Sequence, residues 1–149
     1  MIAPAKLQII VDTREQTPWH FSPELVDVTK RGLSAGDYSL LHDSLYAIER
    51  KSVDDFVGTV SSGWERFLRE LARMEGMVAR TIIVEGSMMR IIDHDYNHPR
   101  VLPSFVLKQV ATLSLMGVSV LFADNPALAA GLAYKILKER NDQIIKNKS

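Results

Sequence analysis

Gly36-Asp37-Tyr38-Ser39-Leu40-Leu41-His42-Asp43-Ser44-Leu45-Tyr46-Ala47-Ile48-Glu49-Arg50-Lys51 contains two apolar runs around a polar turn. Tyr38 to Leu41 and Leu45 to Ile48 predict short strands, and His42-Asp43-Ser44 predicts the turn of a hairpin. Side chains alternate across a strand, so Glu49 and Lys51 share one face and Arg50 points away from it. Asp37 opens the partner strand, which lets its carboxylate meet that of Glu49. Two adjacent carboxylates repel unless a proton or cation lies between them, and Mg²⁺ is commonly held by one or two carboxylates with water and phosphate. The hairpin therefore predicts a divalent-cation site with an ammonium beside it.

Outward from the hairpin, Leu7 to Val11 predicts a strand ending at Asp12-Thr13-Arg14-Glu15, followed by a loop containing Pro18. Leu25 to Thr29 predicts another strand. After Lys51 the period becomes helical: Ser52 is a candidate cap, and Val53, Phe56, Val57 and Val60 recur on one face until Ser61-Ser62-Gly63 interrupts them. Trp64, Phe67, Leu68, Leu71 and Met74 predict a second helix that stops near Gly76. Thr81 to Glu85 is a continuous apolar strand closed by Gly86, as expected inside a sheet covered on both faces. A polar segment, 87–100, predicts one short helix. A helix over Ser104 to Met116, a strand over Val118 to Ala123 and a helix over Pro126 to Arg140 follow, with 141–149 expected to fray. Strands that lead and then alternate with helices predict a central mixed sheet flanked by helices on both faces.

With 149 residues, 46% hydrophobic and 24% charged, the chain predicts one domain over 1–149. A formal net charge of zero means that any nucleic-acid binding must come from local clusters of Lys and Arg. The absence of cysteine excludes disulfides, thiolate zinc sites and a cysteine nucleophile, leaving oxygen and imidazole as metal donors. The N-terminus carries no secretory signal, and the apolar stretch from Val101 to Phe122 is broken by Lys108, Gln109, Thr112 and Gly117, so no membrane span is expected. The expected location is intracellular, cytoplasmic or, in a eukaryote, nuclear.

Val11-Asp12-Thr13-Arg14-Glu15, Gly36-Asp37-Tyr38 and Ile48-Glu49-Arg50-Lys51-Ser52-Val53-Asp54-Asp55 resemble, in order, the motifs of the XPF/Mus81-type endonuclease domain. Its signature is GD, a spacer, ERK, three residues and D. The likeness extends to Arg66-Phe67, to the strand ending in Glu85-Gly86 and to the last helix, strand and helix, so it covers nearly the whole chain. It implies a restriction-endonuclease-like fold in which Asp37, Glu49 and Lys51 meet the PD-(D/E)xK motif. It also implies Mg²⁺- or Mn²⁺-dependent hydrolysis of DNA at branches, flaps or forks, in repair, recombination or replication, and pairing as a homodimer. On this resemblance Asp37 and Glu49 are metal ligands, with Asp12 an auxiliary one, and Lys51 orients or deprotonates water. Arg50 belongs to the catalytic signature, Arg14 contacts phosphate, and Asp55 positions Lys51 or Arg50 or else serves its helix end.

Arg66, Arg69 and Arg73 project from one side of their helix, as phosphate contacts or as an ordinary solvated face. Trp19, His20 and Phe21 either stack on an unpaired base or anchor their loop on the core. Asp93-His94-Asp95 with His98 reads as a polar loop more readily than as a second metal site. Leu128, Leu132, Ile136 and Leu137 form an apolar face suited either to a partner or to the core. The tandem helix-hairpin-helix modules of many such enzymes find no counterpart after Arg140, so an accessory DNA-binding protein in trans is a possible partner. The alternative function is a catalytically idle DNA-binding or scaffolding subunit, against which stand the intact acids and lysine.

Overall fold

The computed structural model describes residues 4–73 and 79–148. Its sheet has the order β2-β1-β3-β4-β5-β6, with β1 Leu7–Val11, β2 Val26–Lys30, β3 Tyr38–Leu40, β4 Asp43–Ser52, β5 Ala79–Glu85 and β6 Val118–Ala123. The β3 strand pairs antiparallel with β1 and β4, whereas β1 with β2, β4 with β5 and β5 with β6 run parallel. The expected mixed sheet is thus present, with the hairpin at its centre.

The hairpin is tighter than its sequence predicts and its second strand longer. Leu40 faces Asp43 and Tyr38 faces Ile48, so β4 bulges between these pairs. The Ser39 hydroxyl fills the gap, lying 3.0 Å from the Asp43 carbonyl and 2.8 Å from that of Tyr46. Parallel pairing with β5 from Tyr46 to Ser52 carries β4 straight through Glu49-Arg50-Lys51. Those side chains therefore alternate on a paired strand rather than on a loop.

Each face of the sheet has its own core. On one, Ile9, Val11, Tyr38, Ile48 and Ile83 pack with Trp19, Phe21 and the α5 residues Ala129, Ala133 and Leu137, where α5 is Pro126–Lys148. On the other, Ile82 and Val84 pack under α1 (Val53–Val60), α2 (Trp64–Ala72), α3 (Met88–Ile92) and α4 (Pro103–Leu115). Each fully buried aliphatic side chain contributes roughly 1.5–3 kcal/mol. Ser52 caps α1 by accepting the Asp55 N–H at 3.1 Å, as its position predicts. The predicted end of α2 near Gly76 and its Met74 contact lie outside the described residues.

One expectation changes and two open alternatives resolve toward the core. The helix α5 continues to Lys148 where a frayed tail was expected, because Arg140 reaches the nearly buried Asp43 at 2.7 and 3.3 Å and Lys138 pairs with Asp142 at 2.7 Å. Leu137 is fully buried and Leu132 and Ile136 pack on the core, so only Leu128 of the suggested interface is well exposed. The aromatic platform is a core anchor: Trp19 and Phe21 are buried, and Trp19 stacks on Tyr38 with centroids 4.3 Å apart.

Segment 87–100 forms α3 and then folds back over the start of α1. Asp54 accepts from the Asn97 N–H at 2.8 Å, and the His98 Nε2 lies 3.1 Å from the Asp54 carbonyl. The His98 ring also lies against Gly58, where a Cβ would come within 3.5 Å of it. His98 is thus part of a docking contact, and among the described residues no group of three or more His, Cys, Asp or Glu is placed to hold a metal.

Candidate active site

Asp37 is positioned by the turn that leads into β3. Gly36 has φ of 73°, and a Cβ there would fall 2.7 Å from that of Ala47, so only glycine suits this backbone and this close approach. The Asp37 N–H donates to the Ile48 carbonyl at 2.8 Å, continuing the hairpin ladder by one bond. The next rung is made by a side chain: the Asp37 carboxylate accepts the Arg50 N–H at 2.7 Å. The strand that presents Glu49 and Lys51 thereby orients the aspartate beside them.

Asp37, Glu49 and Lys51 line one open cleft of about 820 Å³ together with Asp12, Arg14, Glu15, Glu70, Arg73 and Arg80. Burial and the nearby charges of Glu15 and Glu49 push the Asp37 carboxyl up to about 6, against the pull of the Arg50 N–H and Lys51. The Glu49 carboxylate is only 13% exposed; its Oε1 stands 3.5 Å from Nη2 of Arg80, and its Oε2 is buried with no hydrogen-bond partner among the described residues. Lys51 makes no ion pair among the described residues.

This donor set fits a hard divalent ion. The orphaned Glu49 oxygen and the raised Asp37 both mark a shortage of positive charge, which Mg²⁺ or Mn²⁺ held by two carboxylates would relieve while water or phosphate supplied its other ligands.

Asp12 is nearly inaccessible, and both of its oxygens already accept hydrogen bonds, Oδ1 from the Leu33 N–H at 2.8 Å and Oδ2 from Arg14 Nε at 2.7 Å. Burial would raise its carboxyl, but these donors outweigh burial and hold it below the usual range. The arrangement suits Asp12 to fixing Arg14, whose own side chain remains 75% exposed at the cleft rim.

Arg50 lies on the opposite face, as strand alternation requires. Its Nε donates to Glu85, its Nη1 lies 3.4 Å from Glu15 and 2.6 Å from the Thr17 carbonyl, and its guanidinium sits 5.2 Å from the Trp19 ring centre. Trp19 Nε1 also donates to Glu85 at 2.6 Å, and the Tyr38 hydroxyl donates to Glu15 at 2.9 Å. Arg50 therefore clamps the 13–21 loop against the sheet, away from the space between Asp37 and Glu49. Asp55, exposed on the first turn of α1, lines a smaller cleft of about 380 Å³ with Lys51, Arg66, Glu70 and His98, a cleft that Arg50 does not line.

Lys51 and Glu70 line both clefts, so the two form a continuous groove with Arg66 toward one end and Arg73 in the main cleft. Arg69 is exposed and lines neither cleft. The sequence reading missed Arg80 and the Glu15/Glu85 clamp. Arg80 had one available signal: it falls in phase with Ile82 and Val84 on an apolar strand and so must point into the same side.

A mixed six-stranded sheet flanked by helices, with two acids and a lysine on its central hairpin, has the restriction-endonuclease-like α/β fold. The chain belongs to the ERCC4 domain family, whose profile matches residues 11–136, and so to the XPF/Mus81-type nucleases. Among solved structures it is similar to XPF from Aeropyrum pernix, with 24% identity and a TM-score of 0.67 over 89% of this chain and 61% of that one. It is also similar to XPF from Aeropyrum pernix in complex with DNA, with 24% identity and a TM-score of 0.69 over 93% of this chain and 66% of that one. The chain thus spans less than two thirds of either. No curated protein sequence matches it significantly. Among the described residues no helix is long and apolar enough to cross a membrane.

Proposed function

We propose that this domain is a divalent-metal-dependent DNA endonuclease acting at branched, flap or fork structures. The observation that carries the reading is the convergence of Asp37, Glu49 and Lys51 on one cleft, where, among the described residues, Lys51 makes no ion pair and one Glu49 oxygen has no donor. Asp37 and Glu49 are the assigned ligands of Mg²⁺ or Mn²⁺. The ion supplies charge neutralisation at the phosphate and acidifies water.

The protein's own groups complete the site. Lys51, which lines the same cleft as Asp37, orients the attacking water and offsets negative charge growing on the phosphoryl oxygens. Arg14, fixed by Asp12 at the rim, and Arg66, farther along the groove, hold neighbouring phosphates. Arg50 and Asp12 are positioning residues in this scheme. DNA as the partner is supported by the family and by the relative whose structure is described as a complex with DNA. Pairing as a homodimer, help from a DNA-binding protein in trans and an intracellular role in repair, recombination or replication follow from the family alone.

Labelled flap, fork, four-way-junction and linear DNA incubated with Mg²⁺, Mn²⁺ or EDTA should show cleavage that requires metal, prefers a branched substrate and vanishes in Glu49→Gln and Lys51→Ala. DNA binding without cleavage under every metal condition, unchanged by either substitution, would establish the idle scaffold instead.

A further inference from the structure

Beneath the cleft lies a buried charge that the scheme above does not use. Arg80 is 5% exposed, and among the described residues its Nε and Nη1 find no acceptor. Its guanidinium rests 5.5 Å from the ring centre of Phe67, on α2, while its backbone is fixed opposite Ala47 on the neighbouring strand. From that seat Nη2 stands 3.5 Å from Glu49 Oε1. An arginine and a carboxylate free to optimise their contact form two parallel bonds below 3 Å. Here both partners retain unsatisfied atoms, which is costly for buried polar groups and uncommon in native structures. Strand register and the Phe67 ring hold the cation at a standoff.

That standoff has a chemical consequence. A bidentate pair would occupy both Glu49 oxygens and close the site to an ion, whereas a more distant cation would leave a buried carboxylate without any counter-charge. Resting on the nuclease reading, we infer that Arg80 is the resident counter-cation of Glu49, a group that compensates the carboxylate when no metal is bound and that an entering divalent ion must outcompete. Arg80 thereby sets the threshold metal concentration of the site without touching DNA or the reacting phosphate.

The sign follows from Coulomb's law: a fixed positive charge beside a ligand weakens cation binding, and removing it strengthens binding. Mn²⁺ affinity, measured on the DNA-free protein from the electron paramagnetic resonance of free Mn²⁺, should tighten about tenfold in Arg80→Met and in Arg80→Gln, a modest effect for a unit charge at this range. Arg80→Lys, which keeps the charge, should remain close to wild type. Circular dichroism establishes that each variant is folded, and the two uncharged replacements differ enough in shape that a packing artefact would not move both alike.

Unchanged or weakened Mn²⁺ binding in both uncharged variants overturns the inference, since an arginine that merely orients Glu49 or fills space would give that result. If wild type binds no Mn²⁺, or Glu49→Gln binds it equally well, the nuclease reading falls and this inference with it. If Glu49→Gln loses the ion while the Arg80 variants gain no affinity, only the role of Arg80 falls.

Discussion

Asp37→Asn should make the protein more stable and inactive at once, with the gain in stability confined to a defined pH range. The Asp37 carboxyl titrates at about 6 in the folded state, against 3.8 for an ordinary aspartate. Between those values the native state holds a proton that the unfolded chain has released, so stability falls as pH rises through this window. The favourable contribution is complete below about pH 4 and lost above about pH 6. At ~1.4 kcal/mol for each pH unit separating the two values, ionised Asp37 destabilises the fold at pH 8 by roughly 3 kcal/mol, and relaxation around the charge brings the observable effect nearer to roughly 2. Asparagine keeps an oxygen to accept the Arg50 N–H and carries no charge. Urea unfolding of wild type and Asp37→Asn from pH 4 to 8 should give curves that coincide near pH 4 and diverge to a plateau of about 2–3 kcal/mol above pH 7. Saturating Mg²⁺ should then stabilise wild type and not the variant, narrowing the difference. A difference independent of pH, or a variant less stable than wild type at pH 8, would refute the claim that burial and the Glu15 and Glu49 charges strain this carboxylate.

Two further outcomes follow from the same neighbourhood. Gly36→Ala should lower stability by about 1–3 kcal/mol and weaken Mn²⁺ binding, because the new methyl would lie 2.7 Å from the Ala47 Cβ at a φ that L-residues avoid; wild-type unfolding midpoint and metal affinity would contradict it. Arg50→Met should cost about 2 kcal/mol by leaving Glu85 and Glu15 without their shared donor, and amide exchange should quicken across 13–21; a variant with unchanged thermal unfolding and exchange would mean that the clamp does not hold that loop.

The parts legible from sequence were those governed by local rules. The hairpin, the Ser52 cap and the separation of Arg50 from Glu49 and Lys51 all follow from turn chemistry, capping and strand alternation. What stayed hidden was set by distant partners. The length of β4 depends on pairing with β5, a strand that begins beyond α2. The extension of α5 depends on Arg140 meeting Asp43, 97 positions earlier. Trp19 and Phe21 carried no pattern to separate an exposed stack from a buried one until Tyr38 and α5 were in place. Arg80 shows the subtler failure: its face was deducible, but its charge partner required the register that sets it opposite Ala47, two residues before Glu49.

Consecutive residues of β4 serve opposing ends. Glu49 and Lys51 face a cleft in which like charges crowd, an incomplete ion pair is buried and one aspartate is held far from its ordinary titration range. Between them Arg50 faces the other way and gathers Glu15, Glu85, Thr17 and Trp19 into a well-satisfied cluster. The two sides meet at Asp37, which accepts the Arg50 backbone N–H and feels the Glu15 charge. A slip of one residue would exchange the faces, placing Arg50 in the metal cleft and burying two charged groups against Trp19 and Tyr38. Parallel pairing from Tyr46 to Ser52 and the Ser39-bridged bulge resist such a slip. The favourable contacts on one face thus fix the register that a strained, cation-seeking arrangement on the other requires.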